Sequence, residues 1–185
     1  MTELKYEQRL KGWLWDDAYR MALLTAAAEL ALPDWCLAAG FVRNLVWDKL
    51  HHYTQATPLN DIDFIYFSAD EGEIACERRY QKQLQLTVNA PWSVKNQARM
   101  HRRNADAPYC SSVDAMSYWV ELETAVRVYW ADNRIELVAP FGLAPLFAGT
   151  VTRNRRCRSA QAFSERLTQK NWQRHWPKLS VISAG

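Results

Sequence analysis

The chain has little with which to build a zinc site, a disulfide framework or a membrane span. Its four cysteines, Cys36, Cys76, Cys110 and Cys157, lie far apart and form no Cys-x-x-Cys pair, so no zinc-ligand spacing is present. No apolar run is long enough to cross a bilayer. The amino terminus reads Met-Thr-Glu-Leu-Lys and lacks the apolar stretch of a secretory signal. A reduced, cytoplasmic protein with free thiols is the expectation. Repeats, low-complexity segments and long linkers are missing too, so 185 residues predict one domain, 1–185. Within it we expect an N-terminal helix at about 16–32, a core at about 35–150 and a C-terminal helical segment at about 151–185. Excess charge is scarce: 23 basic and 20 acidic residues leave +3, too little by itself to demand nucleic acid.

Aromatics are plentiful. Nine Trp and eight Tyr are expected mostly in or beside the core, with a few available to stack on a base. Basic residues gather in two places, Lys95, Arg99, His101, Arg102 and Arg103, then Arg153, Arg155, Arg156 and Arg158. Each is either a solvated face or a phosphate contact.

The most informative stretch is Leu59-Asn60-Asp61-Ile62-Asp63-Phe64-Ile65-Tyr66-Phe67. Strand side chains alternate, so Asp61 and Asp63 share one face while Ile62, Phe64 and Tyr66 share the other. Two carboxylates that close repel unless a positive charge lies between them. Such a pair suits a divalent cation held by oxygen; its other reading is a solvated turn. Upstream, Trp35–Ala39 is a short apolar run that predicts a buried strand, and Gly40 breaks it. Phe41, Val42, Leu45, Val46 and Leu50 then recur at helical spacing over about 41–52. The start of that helix suits a phosphate, with Arg43 and Asn44 in its first turn. Alternatively, Gly40 is a packing glycine and Arg43 a solvated residue.

Further along, the pattern predicts a surface helix over 71–86, a strand from Trp92 to Gln97 and a loop over 102–112. A helix capped by Ser111 or Ser112 should run to about 120. Thr124–Trp130 and Arg134–Ala139 flank Asp132-Asn133 and predict a hairpin. Short helices are expected at about 143–148 and 160–174. The His51-His52 pair reads as a partner for a helix C-terminus.

Ala39-Gly40-Phe41-Val42-Arg43-Asn44 followed by Asn60-Asp61-Ile62-Asp63-Phe64 resembles the signature of the DNA polymerase beta-like nucleotidyltransferase superfamily. It is closest in form to tRNA nucleotidyltransferases and poly(A) polymerases. A family of small bacterial nucleotidyltransferase-like proteins is similar from about Trp35 to Leu179. That similarity includes Trp92–His101, Ala139-Pro140-Phe141-Gly142-Leu143 and Trp176-Pro177-Lys178-Leu179.

The resemblance implies an α+β fold like the polymerase beta palm, with a mixed sheet flanked by helices. It implies transfer of a nucleoside monophosphate from a nucleoside triphosphate to an acceptor hydroxyl, with release of pyrophosphate. Asp61 and Asp63 would bind Mg²⁺ or Mn²⁺, and Gly40 and Arg43 would receive the nucleotide. Asn44 or Asn60 would hold the loop, and Lys95 and Arg99 would contact phosphate or acceptor. The superfamily places a third carboxylate on a strand beside the Asp pair, and Glu136 is the best match; its other reading is a solvent-facing strand residue. Glu121 and Glu123 are weaker candidates. Asn96 is counted with the nucleotide-binding residues; it stands where an acid is also conceivable and would weaken a two-metal scheme. The acceptor is a small molecule, a protein or RNA, and no membrane is involved. Two other classes stay open: a catalytically inactive nucleotide- or RNA-binding module, and a regulatory protein whose partner uses the helix at 16–32.

Overall fold

Tyr6, Leu10, Trp13 and Leu14 lie at helical spacing, and the computed structural model shows that helix, α1, at Glu3–Trp15. The structure describes residues 2–70, 73–157 and 159–183. Leu10 and Leu14 are buried, while Tyr6 and Trp13 stack on Phe147 with ring centroids 4.5 and 5.6 Å apart. Asp17 then caps α2 (Ala18–Ala28) by accepting the Arg20 N–H at 2.9 Å. The helix expected over 16–32 is therefore shorter at both ends. Asp17 starts it late, and a turn with Ala31 at φ 47° follows it.

The central elements are β1 (Cys36–Ala38), α3 (Gly40–Leu50), β2 (Ile62–Tyr66), α4 (Ile74–Thr87) and β3 (Trp92–Asn96). The first residues of the helix expected over 71–86, Glu71 and Gly72, lie outside the described residues. A 3-10 turn, Gln97–Arg99, leads into α5 (Met100–Asn104). The loop expected over 102–112 thus begins inside a helix, which ends where Ala105 turns left-handed at φ 55°. Ser111 caps α6 (Ser112–Met116) by accepting the Asp114 N–H. β4 (Arg127–Ala131) and β5 (Arg134–Val138) form the expected hairpin. Asp132 and Asn133 both have positive φ, 51° and 58°, as a two-residue turn of this hand requires. After α7 (Ala144–Phe147) come β6 (Thr150–Thr152), α8 (Ala160–Lys170), α9 (Trp172–His175) and β7 (Ser180–Ile182). The final helix is split by Asn171, left-handed at φ 42°.

The main sheet has the order β3-β2-β1-β4-β5. β2 and β3 are parallel and the other pairs antiparallel. One face carries Leu37, Ile62, Phe64, Tyr66 and Val128 into a large core with Phe41, Val42, Leu45 and Trp47 of α3. The other face is covered only in part, by a small cluster of Cys36, Ala38, Ile65, Met116 and Ala125. Asp63 is on this less covered side, because strand alternation sets it opposite Ile62 and Phe64.

The C-terminal segment is bound to the core rather than appended to it. Trp172 and Trp176 meet Trp47 edge-on at 5.7 and 5.1 Å. Buried Asp48 accepts from the Trp176 Nε1–H at 2.8 Å and from the Thr57 N–H and hydroxyl at 2.8 and 2.6 Å. His51 caps α3 with Nδ1 2.8 Å from the Trp47 carbonyl, while its Nε2 accepts the Lys178 N–H at 2.9 Å. β7 pairs with β6 in parallel, so this segment adds a strand to the helices expected of it. Among the described residues no helix is long and apolar enough to cross a membrane.

Candidate active site

The site begins where the chain leaves β1. Ala38 pairs with Asp63 across the sheet. Ala39 then adopts φ 54°, ψ −123°, a backbone region that glycine enters freely and other residues enter under strain. Gly40, expected to make this turn, instead sits one residue later as the first residue of α3. Its φ is not positive, and a methyl group there would meet Arg43 and Asn44 side chains at an ordinary 3.6 Å. Ala39 supplies no side-chain cap, so it leaves the first N–H groups of α3 uncapped at the positive end of the helix.

Asp61 is exposed at the end of the loop preceding β2, with exposed Asn60 beside it. Asp63 is half-buried and lines a cleft of about 540 Å³ together with Ala39, Lys95, Glu121, Thr124 and Arg166. Among the described residues no hydrogen bond or ion pair reaches either aspartate. Burial first, and the Asp61 charge second, push the Asp63 carboxyl up to about 6; Arg43, Lys170 and Arg166 pull the other way.

Arg43 lies beneath this pair. Its guanidinium donates to Thr124 Oγ1 at 3.0 Å and Asn44 Oδ1 at 3.1 Å. It is sandwiched 5.0 and 4.8 Å from the rings of Trp47 and Trp172. Burial lowers its pKa to about 10, against the pull of Glu121, Asp63 and Asp61. The arginine expected to reach out to phosphate is therefore an internal charge held by its neighbours.

The other expected residues divide sharply. Lys95 faces the cleft, 45% exposed, with Glu77 3.8 Å away. Asn96 pairs with Tyr66 and so belongs to the opposite face of the sheet from Asp63. It is fully buried, accepts the N–H groups of Ser68 and Ala98, and donates to the Ser68 carbonyl. Its amide ends a strand; it does not replace a missing acid. Arg99 is ion-paired with Glu77. Glu136 is on β5, three strands from β2, or about 14 Å across the sheet at the usual strand spacing. Its carboxylate is taken by Lys11 at 3.3 Å and Arg134 at 3.7 Å. The structure does not bring Glu136 to the Asp pair.

Of the weaker candidates, Glu123 accepts from the Thr150 hydroxyl at 2.6 Å and the Thr152 N–H at 2.8 Å and so anchors β6. Glu121, 1% exposed, lines the cleft with Asp63. Arg166 and Lys170 of α8, absent from the sequence reading, both act on Asp63. Their spacing, one helical turn on a polar face, was the available signal. The two basic clusters approach the cleft in part. Arg103 lines it, and Arg156 stacks 4.4 Å from Tyr118, another lining residue. Arg158 lies outside the described residues.

The residues present fit a hard divalent cation. Asp61 and Asp63 offer two carboxylates without hydrogen-bond or ion-pair partners among the described residues, and burial together with the Asp61 charge makes Asp63 resist ionisation. Among the described residues no third Asp, Glu, His or Cys completes a metal-holding group. Mg²⁺ accepts such a site, because one or two carboxylates plus phosphate oxygens and water satisfy it.

Asp61 and Asp63 thus stand at the start of β2, an inner strand of a mixed sheet, next to the turn that opens α3. The comparisons with known proteins identify the class. A family model described as nucleotidyltransferase matches residues 25–181. A solved NMR structure described as revealing a CCA-adding enzyme head domain is 31% identical, with a TM-score of 0.84 over 96% of each chain. Among curated proteins none matches. The chain belongs to the nucleotidyltransferase family, within the polymerase beta-like superfamily.

Proposed function

We propose that the protein is a cation-dependent nucleotidyltransferase that moves a nucleoside monophosphate from a nucleoside triphosphate to an acceptor hydroxyl. The observation that carries this is the Asp61–Asp63 pair, without hydrogen-bond or ion-pair partners among the described residues, with Asp63 lining the cleft beside the start of α3. Similarity to a CCA-adding enzyme head domain supports nucleotide addition as the reaction class.

In this reading Asp61 and Asp63 hold Mg²⁺ or Mn²⁺. Bound there, the cation would offset phosphate charge and stabilise the departing oxygen. The backbone at Ala39–Gly40 and the positive end of α3 receive the triphosphate. Arg43 supplies positive potential from below without moving, and Lys95 supplies it from the cleft wall. The acceptor oxygen bonds to the α-phosphorus and passes its proton to water. The bond from that phosphorus to the bridging oxygen breaks, and pyrophosphate leaves. The acceptor is a small molecule, a protein or RNA.

The test is thermal unfolding with each of ATP, GTP, CTP and UTP, with and without Mg²⁺, followed by pyrophosphate release. A ligand that binds the native state raises the midpoint. We expect a Mg²⁺-dependent rise with at least one nucleotide, and its loss, with loss of turnover, in Asp63→Asn. An unchanged rate in that variant refutes the assignment. One observation favours a second reading: among the described residues no third carboxylate joins the pair in a metal-holding group. If Mg²⁺-nucleotide binds but no pyrophosphate is released with any acceptor class, the protein is a silent nucleotide-binding module of the same fold.

A further inference from the structure

We propose that Arg166 is a triphosphate-binding residue that Glu121 holds ready in the empty site, and that it exchanges this carboxylate for phosphate when nucleotide enters. The inference rests on the nucleotidyltransferase reading and assigns α8 to the nucleotide site.

Arg166 donates to Glu121 through Nε at 2.5 Å and Nη2 at 3.1 Å. This is a two-point pairing of the kind a guanidinium makes equally well with phosphate. The two partners differ in freedom. Glu121 is 1% exposed and tied by its backbone to Arg153 in an isolated bridge. The Arg166 side chain is 32% exposed, and it lines the cleft with Asp63. The guanidinium can move and the carboxylate cannot.

Departure of Arg166 does not strand Glu121 as an uncompensated buried charge. Arg43, buried and hydrogen-bonded to Thr124 and Asn44, feels the charge of Glu121 more strongly than that of Asp63 or Asp61. It stays in place when Arg166 leaves. Lys170, one turn further along α8, is exposed, and its charge favours the ionised form of Asp63. Asp63 thus feels three cations, Arg43, Arg166 and Lys170, and Glu121 pairs with one of them, Arg166. Of those cations only Arg166 and Lys170 are accessible to a ligand. A triphosphate carrying one divalent cation is still negative, and these two residues are the ones able to follow it.

The rival explanation is that Arg166 merely pins α8 to the chain at Glu121. Binding of Mg²⁺–tripolyphosphate, measured by calorimetry on the full chain, separates the two. Arg166→Gln should weaken binding by about tenfold or more, and Arg166→Lys by less. Glu121→Gln removes the competing carboxylate and should tighten binding by about threefold. A pinning role makes Arg166→Gln and Glu121→Gln act alike, so opposite signs support exchange and equal weakening overturns it. Lys170→Gln, at an exposed position, should weaken binding severalfold; it decides the matter if Glu121→Gln does not fold. Binding that is lost in Asp63→Asn but unchanged in Arg166→Gln overturns this inference alone. No binding by the wild type overturns it together with the reading beneath it.

Discussion

Asp63→Asn should stabilise the metal-free protein while removing its function. The wild-type fold holds two carboxylates side by side with no hydrogen-bonding partner for either among the described residues. Burial and Asp61 raise the Asp63 carboxyl from 3.8 to about 6. Such a shift opposes the ionised form by about 3 kcal/mol, and water at a half-buried site reduces this to about 1–2 kcal/mol. The folded protein binds this proton more tightly than the unfolded chain does. The resulting stabilisation is complete below 3.8 and disappears as pH rises through about 6. Asn is neutral at every pH and nearly the same shape. In EDTA at pH 7.5, Asp63→Asn should therefore melt about 2–8 °C above wild type, and the gap should close toward pH 4. Mg²⁺ should raise the wild-type midpoint and leave the variant unmoved. A variant less stable than wild type at pH 7.5 without metal, or a gap indifferent to pH, would refute the reasoning.

Other consequences follow from single contacts. Ala39→Gly relieves a backbone at φ 54°; strain of this kind, less the added freedom of glycine when unfolded, gives a gain of about 1 kcal/mol in urea unfolding. Asp48→Ala strands the Thr57 and Trp176 donors and should cost about 3–5 kcal/mol, read in the same assay. Glu136→Gln loses a half-exposed pair with Lys11, costs under about 1 kcal/mol, and should leave the Mg²⁺-dependent nucleotide shift intact. Loss of that shift would restore Glu136 to the site.

Local rules carried much of the fold. The period of two put Asp63 on one face of β2 and Ile62, Phe64 and Tyr66 in the core. Asp132-Asn133 closed the hairpin because both residues tolerate positive φ. Ser111 capped its helix through a contact three residues away. Each of these is decided within a few residues. Helix α1 obeyed the same kind of rule, and its spacing of Tyr6, Leu10, Trp13 and Leu14 was there to be read. Pairing of β6 with β7 was not, since each strand is three residues long and neither has an apolar pattern of its own.

The site was half written in local pattern. Sequence by itself determined the carboxylate pair, the turn into a helix and the class of chemistry they suit, because those residues are neighbours along one strand or one turn. Tertiary structure alone decided which other charges share the cleft. Strand order placed Glu136 three strands away and Asn96 on the far face. Docking of α8 brought Arg166 to Glu121, and two tryptophans enclosed Arg43. Electrostatic interaction depends on distance through space, and packing of distant segments sets that distance.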